Sequence, residues 1–320
     1  MLLRSRPVLC NYYLTYRCNA RCTFCDIWEK PSPYAEPESF RANLRDLKRL
    51  GVKIIDFTGG EPLLHRRAAE FCRRAKAAGF VTTLTTNALL YPKHAQALAR
   101  NVDMLHFSLD YAEKKLHDAE RGVACFDFVL ESIRIALSLG ERPDVLFTVK
   151  NDNVSHIERV YEEITRPNRL ILILNPIFAY NDVGESLTSE HFPVLRQWAK
   201  KRDVYLNTAF LDLREAGGND VSRPVCRAGT STVVISPENA LVVPCYHLGV
   251  KALPIEGRLY EVWHSDEARK WRQTEGRLPE CEGCAVNCYM NPSFGVELNR
   301  YFFRALPSTA KYLIEKFVWA

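Results

Sequence analysis

No stretch of this 320-residue chain reaches the roughly 20 consecutive apolar residues that a membrane-spanning helix needs. The opening MLLRSRPVLCNYYLTY also lacks an apolar core of signal-peptide form. These two absences exclude a spanning helix and a secretory signal, and the chain reads as cytoplasmic. It has no internal repeat, low-complexity tract or long flexible linker, which excludes a repeat architecture. Nor does it have a strong charge of either sign: 43 Lys and Arg stand against 38 Asp and Glu, a net +5. That surplus suits an anionic ligand and is too small to argue for nucleic acid. With 47% hydrophobic residues, the chain can bury one large α/β core and carry a smaller appendage.

Cysteine is what it has in abundance. In a reducing cytosol clustered cysteines bind metal more often than they pair, and eight of the eleven fall into two clusters. The first is Cys18, Cys22 and Cys25 in TYRCNARCTFCDIW, with no fourth cysteine before Cys72. A C-x3-C-x2-C loop can hold three irons of a [4Fe-4S] cube and leave the fourth bare, where a small molecule binds and reacts. Zinc or a buried thiol trio is the alternative. Zinc sites favour paired knuckles with four ligands, however, and ferredoxin spacing supplies a fourth cysteine close by. Cys10, Cys72 and Cys125 lie in strand or helix patterns and read as buried apolar fillers.

Short β-branched runs at 8–14, 53–59, 80–86, 103–109, 144–150 and 169–178 alternate with amphipathic segments. ESFRANLRDLKRLG, with Phe40, Leu44, Leu47 and Leu50 on one face and Gly51 as its stop, is one such segment; FDFVLESIRIALSLG, ending at Gly140, is another. Six strands alternating with helices predict parallel β-α units with right-handed crossovers, and six units favour a partial (β/α)6 TIM-like barrel over a closed eight-fold one. Ligands in such folds sit at the carboxyl ends of the strands, where the three-cysteine loop falls. From about residue 205 the alternation stops. RAGTSTVVISPENALVVPCYHLG reads as a β-hairpin that opens a small cysteine-rich β-hairpin/α module.

Thr58-Gly59-Gly60-Glu61-Pro62 after the second strand, together with the cysteine loop, resembles the GGEP motif of the radical S-adenosylmethionine (SAM) superfamily. In that family the glycines let backbone approach the SAM amino group and the glutamate offers it an anionic acceptor. Thr86-Asn87 resembles the family's Thr-Asn-Gly turn, with Ala88 in place of the glycine. Ser108-Leu109-Asp110 is similar to a Ser-Leu-Asp segment that contacts the SAM ribose or amino acid. His117-Asp118-Ala119-Glu120-Arg121-Gly122 resembles a segment whose arginine, here Arg121, pairs with the SAM carboxylate. Phe24 matches an aromatic position packed near adenine. The resemblance implies a [4Fe-4S] cluster with one open iron, SAM chelated to it, and a 5'-deoxyadenosyl radical that abstracts hydrogen from an unactivated C–H bond. It also implies an electron donor such as flavodoxin or ferredoxin.

The second cluster, Cys226, Cys245, Cys281, Cys284 and Cys288, resembles the auxiliary-cluster modules called twitch and SPASM. Its layout implies a second, auxiliary [4Fe-4S] cluster on Cys226, Cys245, Cys281 and Cys284, with Cys288 a surplus thiol or an alternative ligand. The choice among Cys281, Cys284 and Cys288 stays open, and a structural zinc site is the bland reading. An oxidised cluster there can take the electron from a substrate radical, so oxidation is the expected outcome.

The domains expected are therefore a radical SAM partial barrel over 1–204, an auxiliary-cluster module over 205–296, and a C-terminal aromatic and basic helix over 297–320. The substrate is organic, a small molecule preferred over a peptide because few residues precede the first strand to form a leader-binding domain. Peptide maturation by C–C or C–S cross-linking and lipid modification are the alternatives. An iron-sulfur electron carrier or zinc-stabilised binding protein would have no use for GGEP, Ser-Leu-Asp and Arg121. Tyr312, Leu313, Phe317 and Val318 at helical spacing predict a terminal helix packing its aromatic face on the barrel, with membrane contact as the other reading. Trp28, Tyr34, Tyr180 and Tyr246 are candidates for the pocket wall.

Overall fold

The computed structural model of the chain describes residues 6–178 and 185–318, so Tyr180 lies outside the described residues. Strands β1 (Leu9–Thr15), β2 (Ile54–Gly59), β3 (Val81–Thr86), β4 (Met104–Ser108), β5 (Asp144–Val149) and β6 (Leu172–Pro176) run parallel in chain order. They match the six expected strands, the sixth being shorter than the expected run. A two-residue β7 (Val204–Tyr205) follows beside β6. The hairpin read from the sequence is β8 (Thr232–Ile235) and β9 (Ala240–Val243), followed by β10 (Lys251–Pro254). β8 pairs in parallel with the free edge of β1, Leu9 opposite Thr232. One ten-stranded sheet therefore runs from the cysteine-rich segment through the β-α units, in the order β10-β9-β8-β1-β2-β3-β4-β5-β6-β7.

Alternation along each strand sorts the side chains. Tyr12, Ile55, Phe57, Leu84 and Phe107 point toward the helices and are at most 1% exposed. There Tyr12 meets Phe40 edge-on at 4.9 Å, and Phe40 stacks on Phe71 at 4.6 Å. Phe40 comes from the helix Pro37–Leu50, which Gly51 ends at φ 97°, as its sequence predicts. Cys10, Cys72 and Cys125 are buried fillers at 0%, 0% and 1% exposure. The residues of opposite parity, Asp56, Thr58, Thr85, His106, Leu146, Ile173 and Asn175, keep partial exposure. The inner face of β2 to β6 is thus an open trough rather than a packed barrel core.

The C-terminal helix Arg300–Phe317 closes the amino-end side of this trough. Asp144, at the start of β5, is wholly buried. It accepts from Lys316 Nζ at 2.8 Å and from Tyr312 Oη at 2.7 Å, while Lys316 Nζ also donates to Arg142 O. Lys311 Nζ donates to Val204 O at 2.6 Å. The expected inward aromatic face is corrected here. Tyr312 is buried, whereas Leu313, Phe317 and Val318 are 47%, 54% and 70% exposed, because Glu315 and Lys316 take inward positions beside Tyr312.

A buried ion pair tolerates loss of both partners far better than loss of one. Replacing Lys316 by Met should cost about 3 kcal/mol or more in urea denaturation. The double variant Asp144→Leu/Lys316→Met should recover most of that loss.

Candidate functional site

The loop leaving β1 carries Cys18, Cys22 and Cys25, all partly exposed, and it is held from two sides by backbone. On the β2 side Gly60 N donates to Thr15 O at 2.9 Å and Glu61 N to Arg17 O at 2.8 Å. A Cβ on Gly59 would lie 2.0 Å from Thr15 O, and one on Gly60 2.2 Å from Arg17 O. The two glycines are thus required first by the approach of β2 to the cysteine loop. On the other side Arg21 N donates to Arg121 O at 2.9 Å and Thr23 N to Glu120 O at 3.1 Å. A Cβ on Gly122 would meet Arg21 O at 2.5 Å. The Thr23 hydroxyl also donates to the Glu120 carboxylate, whose second oxygen holds Lys150 Nζ at 2.5 Å.

Two of the sequence-derived groups come together around this loop. Arg121 Nη2 sits 2.7 Å from Asp110 Oδ2, its Nη1 lies 3.8 Å from Cys22 Sγ, and its guanidinium carbon lies 5.3 Å from the centre of the Phe24 ring. Burial works against the Arg121 charge, but Asp110 and Cys22 outweigh it and keep the guanidinium protonated. Its Nε is buried without a hydrogen-bond partner among the described residues. The second group is Glu61 with Asn87. The Glu61 carboxylate accepts from Leu63 N, Thr86 Oγ1 and Asn87 N at 2.9, 2.8 and 2.9 Å, and burial raises its pKa to about 7. It stitches β2 to β3 as well as standing by the loop. Asn87 reaches back to Asn19 Oδ1 at 2.8 Å, and Ala88 takes the left-handed φ of 68° that a glycine adopts most easily. Ser108 is buried at the end of β4.

Cys226, Cys245, Cys281 and Cys284 line one cavity of about 390 Å³ together with His247 and Tyr289. Its organiser is Asn219, 1% exposed, which the sequence pattern does not single out. The Asn219 Nδ2 donates to Gly276 O at 2.8 Å and Cys281 O at 3.1 Å, and its Oδ1 accepts from Val225 N and Cys226 N, each at 3.0 Å. Its backbone N donates to Cys284 O at 3.0 Å. Cys288 is accessible, with Sγ 3.9 Å from His247 Nε2. Burial pushes the Cys18 and Cys245 thiols up to about 12 each. Among the described residues no three His, Cys, Asp or Glu side chains converge tightly enough for a single metal ion. The fit to a larger group rests on thiol-only donor sets, on bare glycine backbone beside the first and on the cavity that the second encloses.

The two thiol sets border a shared apolar cluster. Tyr13, Ile27, Cys226 and Tyr289 belong to it, and Tyr16, Cys25, Cys245, Tyr246 and Cys284 pack against it. Tyr246 stacks on Tyr13 at 4.5 Å and accepts a hydrogen bond from Lys30 Nζ at 3.1 Å. Trp28 Nε1 donates to Cys25 O at 2.9 Å, whereas Tyr34 is 38% exposed and meets His65 edge-on. Asp56 also escapes the motif reading, although its place between Ile55 and Phe57 marks it as the inward polar residue of β2. The Thr83 hydroxyl donates to it, and burial raises its pKa to about 6.

Residues 12–164 match the sequence profile of the family described as the Radical SAM superfamily. An AdoMet-dependent heme synthase of Methanosarcina barkeri is 24% identical, covering 90% of this chain and 93% of that protein. The mycofactocin maturase MftC of Mycolicibacterium smegmatis is 25% identical, covering 94% and 80%. Among solved structures, Streptococcus suis SuiB bound to S-adenosylmethionine has the same fold, with a TM-score of 0.68 at 18% identity over 90% of this chain and 76% of that one.

If the close approach at Gly60 positions the loop, Gly60→Ala should cost about 3 kcal/mol or more in urea denaturation, since its Cβ collides with backbone. Gly140→Ala, whose Cβ meets nothing within 4 Å, should cost only about 1 kcal/mol of left-handed strain. Equal costs would remove the argument.

Proposed function

Because the chain belongs to the radical SAM superfamily through residues 12–164 and is an enzyme, we propose that it takes a hydrogen atom from an organic substrate held in the trough and oxidises or otherwise modifies it with help from a second iron-sulfur cluster. The observation that carries this reading is the apolar cluster that Cys25 on one side and Cys245 and Cys284 on the other both border, next to the open inner face of β2 to β6. Cys18, Cys22 and Cys25 would hold a [4Fe-4S] cluster with one open iron. Phe24, Gly59, Gly60, Glu61, Asn87, Ser108, Asp110 and Arg121 would surround SAM. Cys226, Cys245, Cys281 and Cys284 would hold the auxiliary [4Fe-4S] cluster, with Cys288 beside His247 as the alternative ligand.

When bound, the first cluster and SAM supply one-electron cleavage of the sulfonium and a 5'-deoxyadenosyl radical, the electron coming from a flavodoxin- or ferredoxin-type donor of the cytoplasm. The chain's own residues do the positioning. Asp110 fixes the Arg121 guanidinium beside Cys22, so that a positive charge stands next to the thiol set and would favour an anionic group of a bound ligand. Gly59 and Gly60, whose missing side chains make room for the backbone at Thr15 to Arg17, hold the carboxyl end of β2 against the cysteine loop. Tyr13, Tyr16 and Tyr246 pack ring against ring in the cluster that both thiol sets border and help to keep water out of it. Asp56, raised to about 6 by burial, is matched to accept near neutral pH the proton that a substrate releases on oxidation.

The names of the relatives point to no shared substrate: one is an AdoMet-dependent heme synthase, another a mycofactocin maturase. Streptococcus suis SuiB, solved bound to the precursor peptide SuiA, brings a peptide substrate back level with a small molecule.

Anaerobic iron and sulfide quantitation with a SAM-cleavage assay tests the proposal. About eight irons per chain are expected, falling to about four with loss of 5'-deoxyadenosine in the Cys18→Ala/Cys22→Ala/Cys25→Ala variant. About four irons and one zinc in the unaltered chain would remove the auxiliary cluster from the mechanism, and no SAM cleavage would sink the enzymatic reading itself. Asp56→Asn should keep SAM cleavage while product formation drops about a hundredfold, within the usual range for loss of an acid-base group.

A further inference from the structure

The C-terminal helix Arg300–Phe317 is inverted relative to an ordinary surface helix. Its charged residues Glu315 and Lys316 are 3% and 6% exposed, and its large apolar residues face out. Phe303, Leu306, Leu313, Ile314 and Phe317 are 60%, 47%, 47%, 40% and 54% exposed, and Val318 just beyond is 70% exposed. Pro307 and Ala310 fill the same outward side, on which Arg304 is the one charged residue among positions 303–318. Spaced at three, four and seven residues, these side chains form a single stripe along the helix. An 18-residue helix runs about 27 Å at 1.5 Å per residue. A contiguous apolar strip of that length marks a contact surface rather than scattered surface residues.

What covers it is indicated by the charge at its end. Arg142, Arg166, Arg169 and Arg202 line a groove of about 850 Å³, against the two acids Glu141 and Asp203. Arg142 Nη1 donates to Glu315 O at 2.7 Å and its Nε to Arg169 O at 2.6 Å, so the groove opens at the last turn of the helix. Glu141 is already engaged by Arg100 N at 2.6 Å, Asp203 lies 3.3 Å from Arg142 and 3.5 Å from Arg202, and Arg166 pairs with Glu162 at 2.5 Å, which leaves Arg169 as the arginine of the groove with no carboxylate against it among the described residues. An apolar stripe on a helix whose last turn borders an arginine-rich groove matches a surface that is apolar just beneath a layer of negative charge. We infer that this helix docks the protein on a membrane surface containing anionic lipid. Its stripe enters the acyl boundary and the Arg142–Arg169–Arg202 groove sits among the headgroups. No helix among the described residues is long and apolar enough to cross a membrane, and the docking is interfacial. It turns the closed, amino-end side of the trough toward the lipid and assigns no lipid as substrate.

The test is flotation of the full iron-loaded chain with vesicles of phosphatidylcholine alone and of phosphatidylcholine mixed with phosphatidylglycerol, alongside light scattering of the protein without lipid. A monomer that floats with the anionic vesicles is expected. Leu313→Gln/Phe317→Gln should weaken partitioning at least about tenfold, since two large apolar side chains leave the acyl boundary. Arg166→Glu/Arg169→Glu should abolish the preference for phosphatidylglycerol, about fivefold for each arginine removed. All four positions are at the surface of the groove or stripe, so unchanged melting temperature and SAM cleavage would show that the variants are folded. Failure of the unaltered chain to float overturns the inference. So does a dimer that Leu313→Gln/Phe317→Gln converts to monomer, because a second copy would then cover the stripe.

Discussion

The position of the cysteine loop depends on how closely the backbone after β2 approaches the backbone after β1. Thr15 O and Arg17 O receive Gly60 N and Glu61 N directly, with no side chain between, because Gly59 and Gly60 have none to interpose. The β1–β2 register runs unbroken from Leu9 opposite Ile54 to Tyr13 opposite Thr58 and shifts only at Thr15, which faces Gly59. The loop therefore inherits its position from the sheet. A loop of three half-exposed cysteines has few contacts of its own to order it, and fixing it through its neighbours' backbone spares it the entropic cost of self-packing. On the far side the turn at Glu120 to Gly122 does the same by two backbone hydrogen bonds. The thiols thus stand between two rigid elements.

That arrangement explains which parts of the site are legible in the sequence. Glycine pairs, strand-end polar residues and β-branched runs are local signals, and each lies in the chain beside the feature it shapes. Asn219 and Glu120 carry no such signal. Asn219 binds Gly276 and Cys281 far along the chain, and an isolated asparagine after two glycines reads as a turn residue. Parallel pairing of β8 with β1 is invisible for the same reason: a parallel ladder between distant strands leaves no mark in the spacing of either. Asp56 is legible in principle, since strict alternation puts it opposite Ile55 and Phe57. Its meaning depends on the inner face being open, and openness is a property of the whole sheet.

The openness itself has a physical origin. The helix-facing side of β1 to β4 is filled by aromatic rings from strands and helices, which leaves nothing further to recruit. The inner side carries Asp56, Thr58, Thr83, Thr85, His106 and Asn175, which satisfy one another only in part, through Thr83–Asp56 and Thr85–His106; an apolar plug would leave their remaining polar atoms unpartnered at a cost of about 1–3 kcal/mol each. Such a surface is best left to water or to a ligand of matching polarity. The closing elements are polar accordingly: Asn287 Nδ2 donates to Asn175 Oδ1 at 2.5 Å on one side, and Lys316 and Tyr312 meet Asp144 on the other.

The terminal helix shows why periodicity alone misassigns a face. Spacing establishes that Leu313, Phe317 and their neighbours share a side of the helix, and an apolar stripe is ordinarily the buried one. Asp144 decides otherwise. A wholly buried carboxylate requires a cation and further donors, and only Lys316 and Tyr312, four residues apart on one face, supply both from a single element. With that face turned inward, the residues opposite it are committed to the outside whatever their hydropathy. Lys311, holding Val204 O one turn earlier, extends the same constraint along the helix. The ion pair that closes the trough is therefore also what presents the apolar stripe to the surroundings, and one interaction orients both faces of the helix.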